Sequence, residues 1–121
     1  MAERRWRDYC TKSGRRPVKE FIDSLSDEDA AAVAAAMREV KADGLSAARH
    51  LDGEIYEVRA DGNRVIYRIL FAEQGKRGQV LLALEAFKKK TQKTPPQSIK
   101  LAKRRLRLWE VQGQERRKKQ R

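Results

Sequence analysis

Little in this chain could hold a metal or staple a fold. Its 121 residues include one cysteine, Cys10, and one histidine, His50. A single cysteine excludes a disulfide framework and a thiolate metal cluster. No grouping of His, Cys, Asp and Glu has metal-ligand spacing, so neither metal nor cofactor is expected. Cys10, beside Tyr9, reads as a small strand residue rather than a nucleophile. His50 precedes Leu51 at the mouth of a strand, where a structural or exposed imidazole is the plainer reading and a catalytic one the exception. No Gly-rich loop precedes a helix to cradle phosphates. No run approaches the roughly 20 apolar residues of a membrane span, and the opening MAERRWRDYC lacks the apolar core of a secretory signal. The expectation is one cytoplasmic domain with a modest core.

Acid is what the C-terminal part lacks. The chain carries 29 Lys+Arg against 17 Asp+Glu, a net charge of +12. Residues 1–87 hold 15 basic and 15 acidic side chains, whereas residues 88–121 hold 14 basic ones against only Glu110 and Glu115. Clustered Lys and Arg gain affinity for a polyanion by releasing its counterions. The asymmetry points to nucleic acid, against the plainer alternative of a solvated basic tail.

Weak alternation in RWRDYCTK, residues 4–11, predicts a short first strand. Pro17 suits the first turn of a helix, and Val18, Phe21, Ile22 and Leu25 follow at helical spacing, over about 16–25. Ser26 with Asp29 resembles a capping box, with acids in the first turn where the helix dipole favours them. An alanine-rich helix then runs to Lys41, with Val33, Met37 and Val40 on one face and Gly44 as its stop. After the Gly75–Gly78 turn, QVLLALEAF at 79–87 is a continuous apolar run, which predicts a strand buried on both faces. Pro95-Pro96 opens a last helix over about 96–112, with Ile99, Ala102, Leu106 and Trp109 in one stripe. QERRKKQR at 114–121 has no apolar anchor and is expected to be a disordered basic tail beyond a single domain of 1–113. The predicted fold is α+β: a small antiparallel sheet with an N-terminal helical hairpin and a C-terminal helix, in the order βααβββα.

The most informative stretch is EIYEVRADGNRVIYRILF, residues 54–71. Asp61-Gly62 between two alternating runs predicts a β-hairpin with a two-residue type I′ turn. That register sets Ala60 against Asn63, Arg59 against Arg64, Val58 against Val65 and Tyr56 against Tyr67. Like charges directly opposed on paired strands are destabilising, so the two arginines need a reason. Alternation puts Tyr56, Val58, Val65, Tyr67, Ile69 and Phe71 on the core face. The other face carries Glu57, Arg59, Arg64 and Arg68, with Ile55, Ile66 and Leu70 between them, as the floor of an open groove. There the arginines are either neutralised by Glu57 and Asp61 in surface ion pairs, or bridged by a phosphate that takes paired hydrogen bonds from each. Antiparallel pairing of the last strand brings Lys88–Lys90 toward Arg64. Neighbouring ammonium groups disfavour one another's charge, which is how a lysine becomes a general base, while a further cation stabilises a phosphorane. A one-residue slip would exchange Lys89 for its neighbours.

The series Leu51, Ile55-Tyr56-Glu57-Val58-Arg59, then Arg64-Val65-Ile66-Tyr67-Arg68, then Phe87-Lys88-Lys89-Lys90-Thr91-Gln92-Lys93-Thr94-Pro95 resembles the RelE/HigB superfamily of type II toxin–antitoxin toxins. It is most similar to the phage-derived HigB-like branch, over about 5–110. The resemblance implies a βααβββα-type fold and a metal-independent endoribonuclease. Such a toxin cleaves mRNA on the ribosome by attack of the ribose 2′-hydroxyl on the adjacent phosphate, with basic residues replacing a histidine pair. By position it implies that Arg59 and Arg64 hold and polarise the scissile phosphate, that Lys89 or Lys90 is the basic group at the strand end, and that Arg68, Lys88 and Lys93 contact RNA. The implied partners are mRNA, the ribosome and a helix-turn-helix antitoxin. The chain departs from the pattern in two places. Its last helix offers Trp109 but no tyrosine or histidine, and Glu85 stands where relatives often carry histidine, so no general acid is assigned. The rival reading is a non-catalytic RNA- or ribosome-binding protein using the same groove. A third is a basic scaffold whose tail binds an acidic protein.

Overall fold

A computed structural model describes residues 3–119, with side chains as far as Glu115. The elements are β1 (Arg5–Asp8), α1 (Pro17–Asp23), α2 (Asp27–Asp43), a 3-10 turn (Gly44–Ala47), β2 (Arg49–Asp52), β3 (Ile55–Asp61), β4 (Ile66–Gln74), β5 (Val80–Lys88) and α3 (Pro96–Lys119). The strands form one sheet in the order β1-β5-β4-β3-β2. β1 runs parallel to β5 and the other neighbours are antiparallel, so the sheet is mixed. β2 is an addition to the expected order: RHLD has no apolar alternation and becomes a strand only by pairing with β3.

The helix starts follow local chemistry. Pro17 opens α1, and the Ser26 hydroxyl accepts the Asp29 N–H at 3.2 Å to cap α2. Gly44 ends α2 with φ +73°, the left-handed region that glycine enters at least cost. α1 and α2 cover one face of the sheet, burying Val18, Val33 and Val40 against Val58, Ile69 and Phe71. α3 covers the other, where Ala102 and Leu106 meet Ile55, Leu70, Leu82 and Leu84. β5 is therefore buried on both sides, Leu81 and Ala83 facing one core and Leu82 and Leu84 the other.

Three expectations are corrected. The open groove floor is covered: Ile55 and Leu70 are fully buried, because α3 lies over the apolar residues of that face. α3 continues past 112 to Lys119, so 114–119 is helical, with residues 120 and 121 outside the described range. After Gly113 the added stretch is Gln, Glu, Arg and Lys, all competent helix formers.

The hairpin register is the third. Arg59 pairs with Arg68, Val58 with Ile69, Tyr56 with Phe71 and Ala60 with Tyr67. Relative to the expected pairing, the partner of Arg59 moves from Arg64 to Arg68, four residues along. An even shift leaves every side chain on its original face, which is why the core face was assigned correctly under the wrong register. The connection is a four-residue loop, Gly62 to Val65, closed by the Gly62 N–H donating to the Val65 carbonyl at 2.7 Å.

Candidate active site

The loop at residues 62–65 is held from outside the hairpin. Asp29 in the first turn of α2 accepts the Asn63 backbone N–H at 2.8 Å and the Tyr67 hydroxyl at 2.5 Å. The partners are 34 and 38 residues away in sequence. Gly62 makes room for them. A Cβ there would lie 2.7 Å from the Tyr67 ring and 2.8 Å from the Asp29 carboxylate. Glycine is needed at 62 for close approach, whereas the left-handed residue of the loop is Arg64, at φ +61°. The Tyr67 hydroxyl, then the Asn63 N–H and the charge of Lys88, hold the Asp29 carboxyl below its ordinary range against the opposing effect of burial. The same hydrogen bond raises the Tyr67 phenol above its ordinary value.

On the opposite face lies a buried charged cluster. Arg68 and Glu57 have side chains only 1% exposed, with Arg68 Nε 3.1 Å from Glu57 Oε1. That contact is an ion pair, though it is not aligned as a hydrogen bond. The guanidinium donates instead to the Thr94 hydroxyl at 3.0 Å and to the carbonyls of Thr91 and Gln92 at 3.1 and 2.7 Å. The Thr94 hydroxyl donates in turn to Glu57 Oε2. Glu57, Arg68 and Thr94, drawn from three separate stretches of the sequence motif, thus meet at one point and tie down the segment after β5. Arg68 was expected on RNA; its place is inside, because α3 and the 91–94 segment close over it. Arg59, 42% exposed, lies across from it with Nε 3.4 Å from Glu57 Oε1. The arginines actually opposed are Arg59 and Arg68, with the buried Glu57 carboxylate neutralising both, and Arg64 lies on the loop outside the strand pairing.

The lysines stand where strand direction placed them. Lys88 is opposite Tyr67, and the Lys89 N–H donates to the Ile66 carbonyl at 2.7 Å, so the run 88–90 lies beside the start of β4 and the loop bearing Arg64. A bulge between the Leu70–Glu85 and Phe71–Ala83 pairs settles which lysine faces which way. Lys88 shares the face of Tyr67 and Asp29, and Lys89 shares by alternation that of Arg68. Lys88, Lys90 and Lys93 are exposed, Lys89 half-buried. Glu85 sits at the bulge, 3.4 Å from Arg105, whose guanidinium also donates to the Leu84 carbonyl at 2.7 Å. His50 is on the far edge strand, its Nε2 2.8 Å from the Gly53 carbonyl, and plays no part in this grouping.

Sequence reasoning missed Asp29 as a loop anchor, the Tyr67 hydroxyl and Thr94. Asp29 was visible only as a cap, and nothing local signals that its carboxylate reaches a turn on another element. Among the described residues no three His, Cys, Asp or Glu side chains come close enough to share an ion, and no helix is long and apolar enough to cross a membrane.

What the fold defines is a small α+β protein with a basic segment seated on a buried carboxylate–arginine pair, and comparison with known proteins makes this specific. The sequence profile of the family described as phage derived protein Gp49-like matches residues 20–107. Probable endoribonuclease HigB1 of Mycobacterium tuberculosis (strain CDC 1551 / Oshkosh) is 34% identical over 107 residues, covering 86% of this chain and 83% of that protein. HigB1 of strain H37Rv matches to the same extent. The chain belongs to the phage-derived Gp49-like family, within the HigB/RelE-like toxins.

Proposed function

We propose that the protein is a toxin endoribonuclease that cleaves mRNA on the ribosome without a metal ion, and that a helix-turn-helix antitoxin holds it inactive. The observation that carries this reading is the convergence of Lys88–Lys90 on the Arg64 loop, in a chain similar to a probable endoribonuclease. In the proposed reaction the ribose 2′-hydroxyl attacks the adjacent phosphorus, and the bond from phosphorus to the 5′-oxygen breaks. By their positions in the family motif, Arg59 and the loop residue Arg64 are assigned to the non-bridging oxygens, where they offset the charge that grows on them. One amine of Lys89 or Lys90 takes the 2′-hydroxyl proton as the general base. We assign the proton donated to the departing oxygen to another lysine of the run. Lys88 and Lys93 meet flanking phosphates. Arg68 is a positioning residue that acts through the 91–94 segment.

The test is to map mRNA 5′ ends in a cell-free translation reaction, with ribosomes present, stalled or omitted. Cuts at defined codon positions that vanish without ribosomes are expected. Intact mRNA in every condition, with RNA binding retained, would mean that the basic surface binds without cutting.

A further inference from the structure

We propose that the cleft at the free end of β5 is a pocket for one unstacked RNA base and determines which base flanks the cut. The proposal rests on the reading that RNA is the substrate. β1 pairs with β5 only from Val80 to Ala83, and the Tyr9 N–H ends that pairing on the Ala83 carbonyl. Past this point, among the described residues, no strand covers the outer edge of β5. The Leu84 carbonyl is taken by Arg105. Because the Lys89 N–H donates to Ile66, that pair is a hydrogen-bonded one, and alternation in an antiparallel ladder turns the backbone of Lys88 and Ala86 away from β4. The Ala86 N–H is met by Glu85 Oε1 at 3.1 Å. The N–H and C=O of Lys88 and the C=O of Ala86 are left pointing at the outer edge.

That edge lines a cleft of about 450 Å³, a size typical of small-molecule sites. Phe21, Phe87 and Pro95 form its apolar walls, Ser98 adds a hydroxyl, and Lys88 and Lys90 stand beside them. Phe21 packs edge-on against Tyr67, with ring centroids 6.0 Å apart. Flat apolar walls, an adjacent amide donor and acceptor, and ammonium groups at one side fit a heterocycle with an attached phosphate. An extended peptide added to this edge would find one complete N–H and C=O pair, that of Lys88, too little to hold a strand.

The experiment is an NMR titration of the full chain with each of the four nucleoside 5′-monophosphates and, separately, with inorganic phosphate. Nucleotides, but not phosphate, should shift the amides of Ala86, Phe87 and Lys88, with one base preferred. Ser98→Trp, which fills the cleft, should lower the ratio of nucleotide to phosphate affinity by about tenfold, the loss of one base stack. Phe87→Leu, which keeps an apolar contact but removes the ring, should do the same if the first variant fails to fold. Nucleotides that shift residues 88–93 no differently from phosphate, or a ratio unchanged in both variants, would overturn the pocket. Base-dependent binding without any mRNA cleavage would uphold the pocket and sink the nuclease reading. Cleavage without base-dependent shifts would do the reverse.

Discussion

Replacing Arg68 with methionine should cost far more stability than its position on a strand of a charged hairpin would imply. The substitution removes a guanidinium 1% exposed and three hydrogen bonds to the 91–94 segment. It leaves the buried Glu57 carboxylate with the Thr94 hydroxyl and the half-exposed Arg59 as its remaining partners. Breaking a buried pair on one side typically costs about 3–5 kcal/mol. For a domain of this size that lowers Tm by roughly 10–20 °C. Urea unfolding gives the free energy and calorimetry the temperature. The companion Glu57→Leu, Arg68→Met removes both charges together and should recover stability to within about 1 kcal/mol of the parent. Its 91–94 segment still lacks its donor, so mRNA cleavage should stay low although the fold is restored. A single-variant loss under about 1 kcal/mol, or a double variant no more stable than the single, would refute the account of this pair.

Gly62→Ala should destabilise the hairpin through the collision with Tyr67 and Asp29, a cost seen as a lower urea midpoint, and an unchanged midpoint would refute the close approach. Arg64→Gly should raise stability by about 1 kcal/mol, since only glycine takes a left-handed conformation freely, while abolishing cleavage; a stability loss would show that the side chain is structural. The depressed Asp29 carboxyl contributes stability that is complete above the ordinary aspartate value, roughly 3.9, and is lost as the pH falls through its lower folded value. Asp29→Asn should therefore flatten the acid limb of the stability profile measured by urea unfolding, and an unchanged limb would argue against the carboxylate's part in the loop.

Much of the architecture was legible because it follows local periodicity. The Ser26 cap, the Gly44 stop, the double burial of β5 and the inward set Val58, Tyr67, Ile69 and Phe71 each follow from residues a few places apart. So did the approach of Lys88–Lys90 to the start of β4, which needs only antiparallel pairing. The turn misled for a particular reason. Asp61-Gly62 matches the pattern of a tight hairpin, yet this glycine serves close packing, and the left-handed position belongs to an arginine two residues on.

The family motif was recognised correctly, whereas Arg68, expected at the RNA surface, is buried. Arg68 reads as an RNA contact on a strand face with Glu57 and Arg59, and alternation alone cannot say whether that face is open. α3 and the 91–94 segment cover it, and both arrive from later in the chain. The sequence by itself determined which side of β3 and β4 their paired residues occupy, because strand alternation is local and survives an even shift in pairing. Only the tertiary structure decided the hairpin register, the burial of Arg68 and the direction each lysine faces. Those depend on contacts such as Asp29 to Asn63 and Arg68 to Gln92, and on a bulge in β5, whose partners no local spacing brings together.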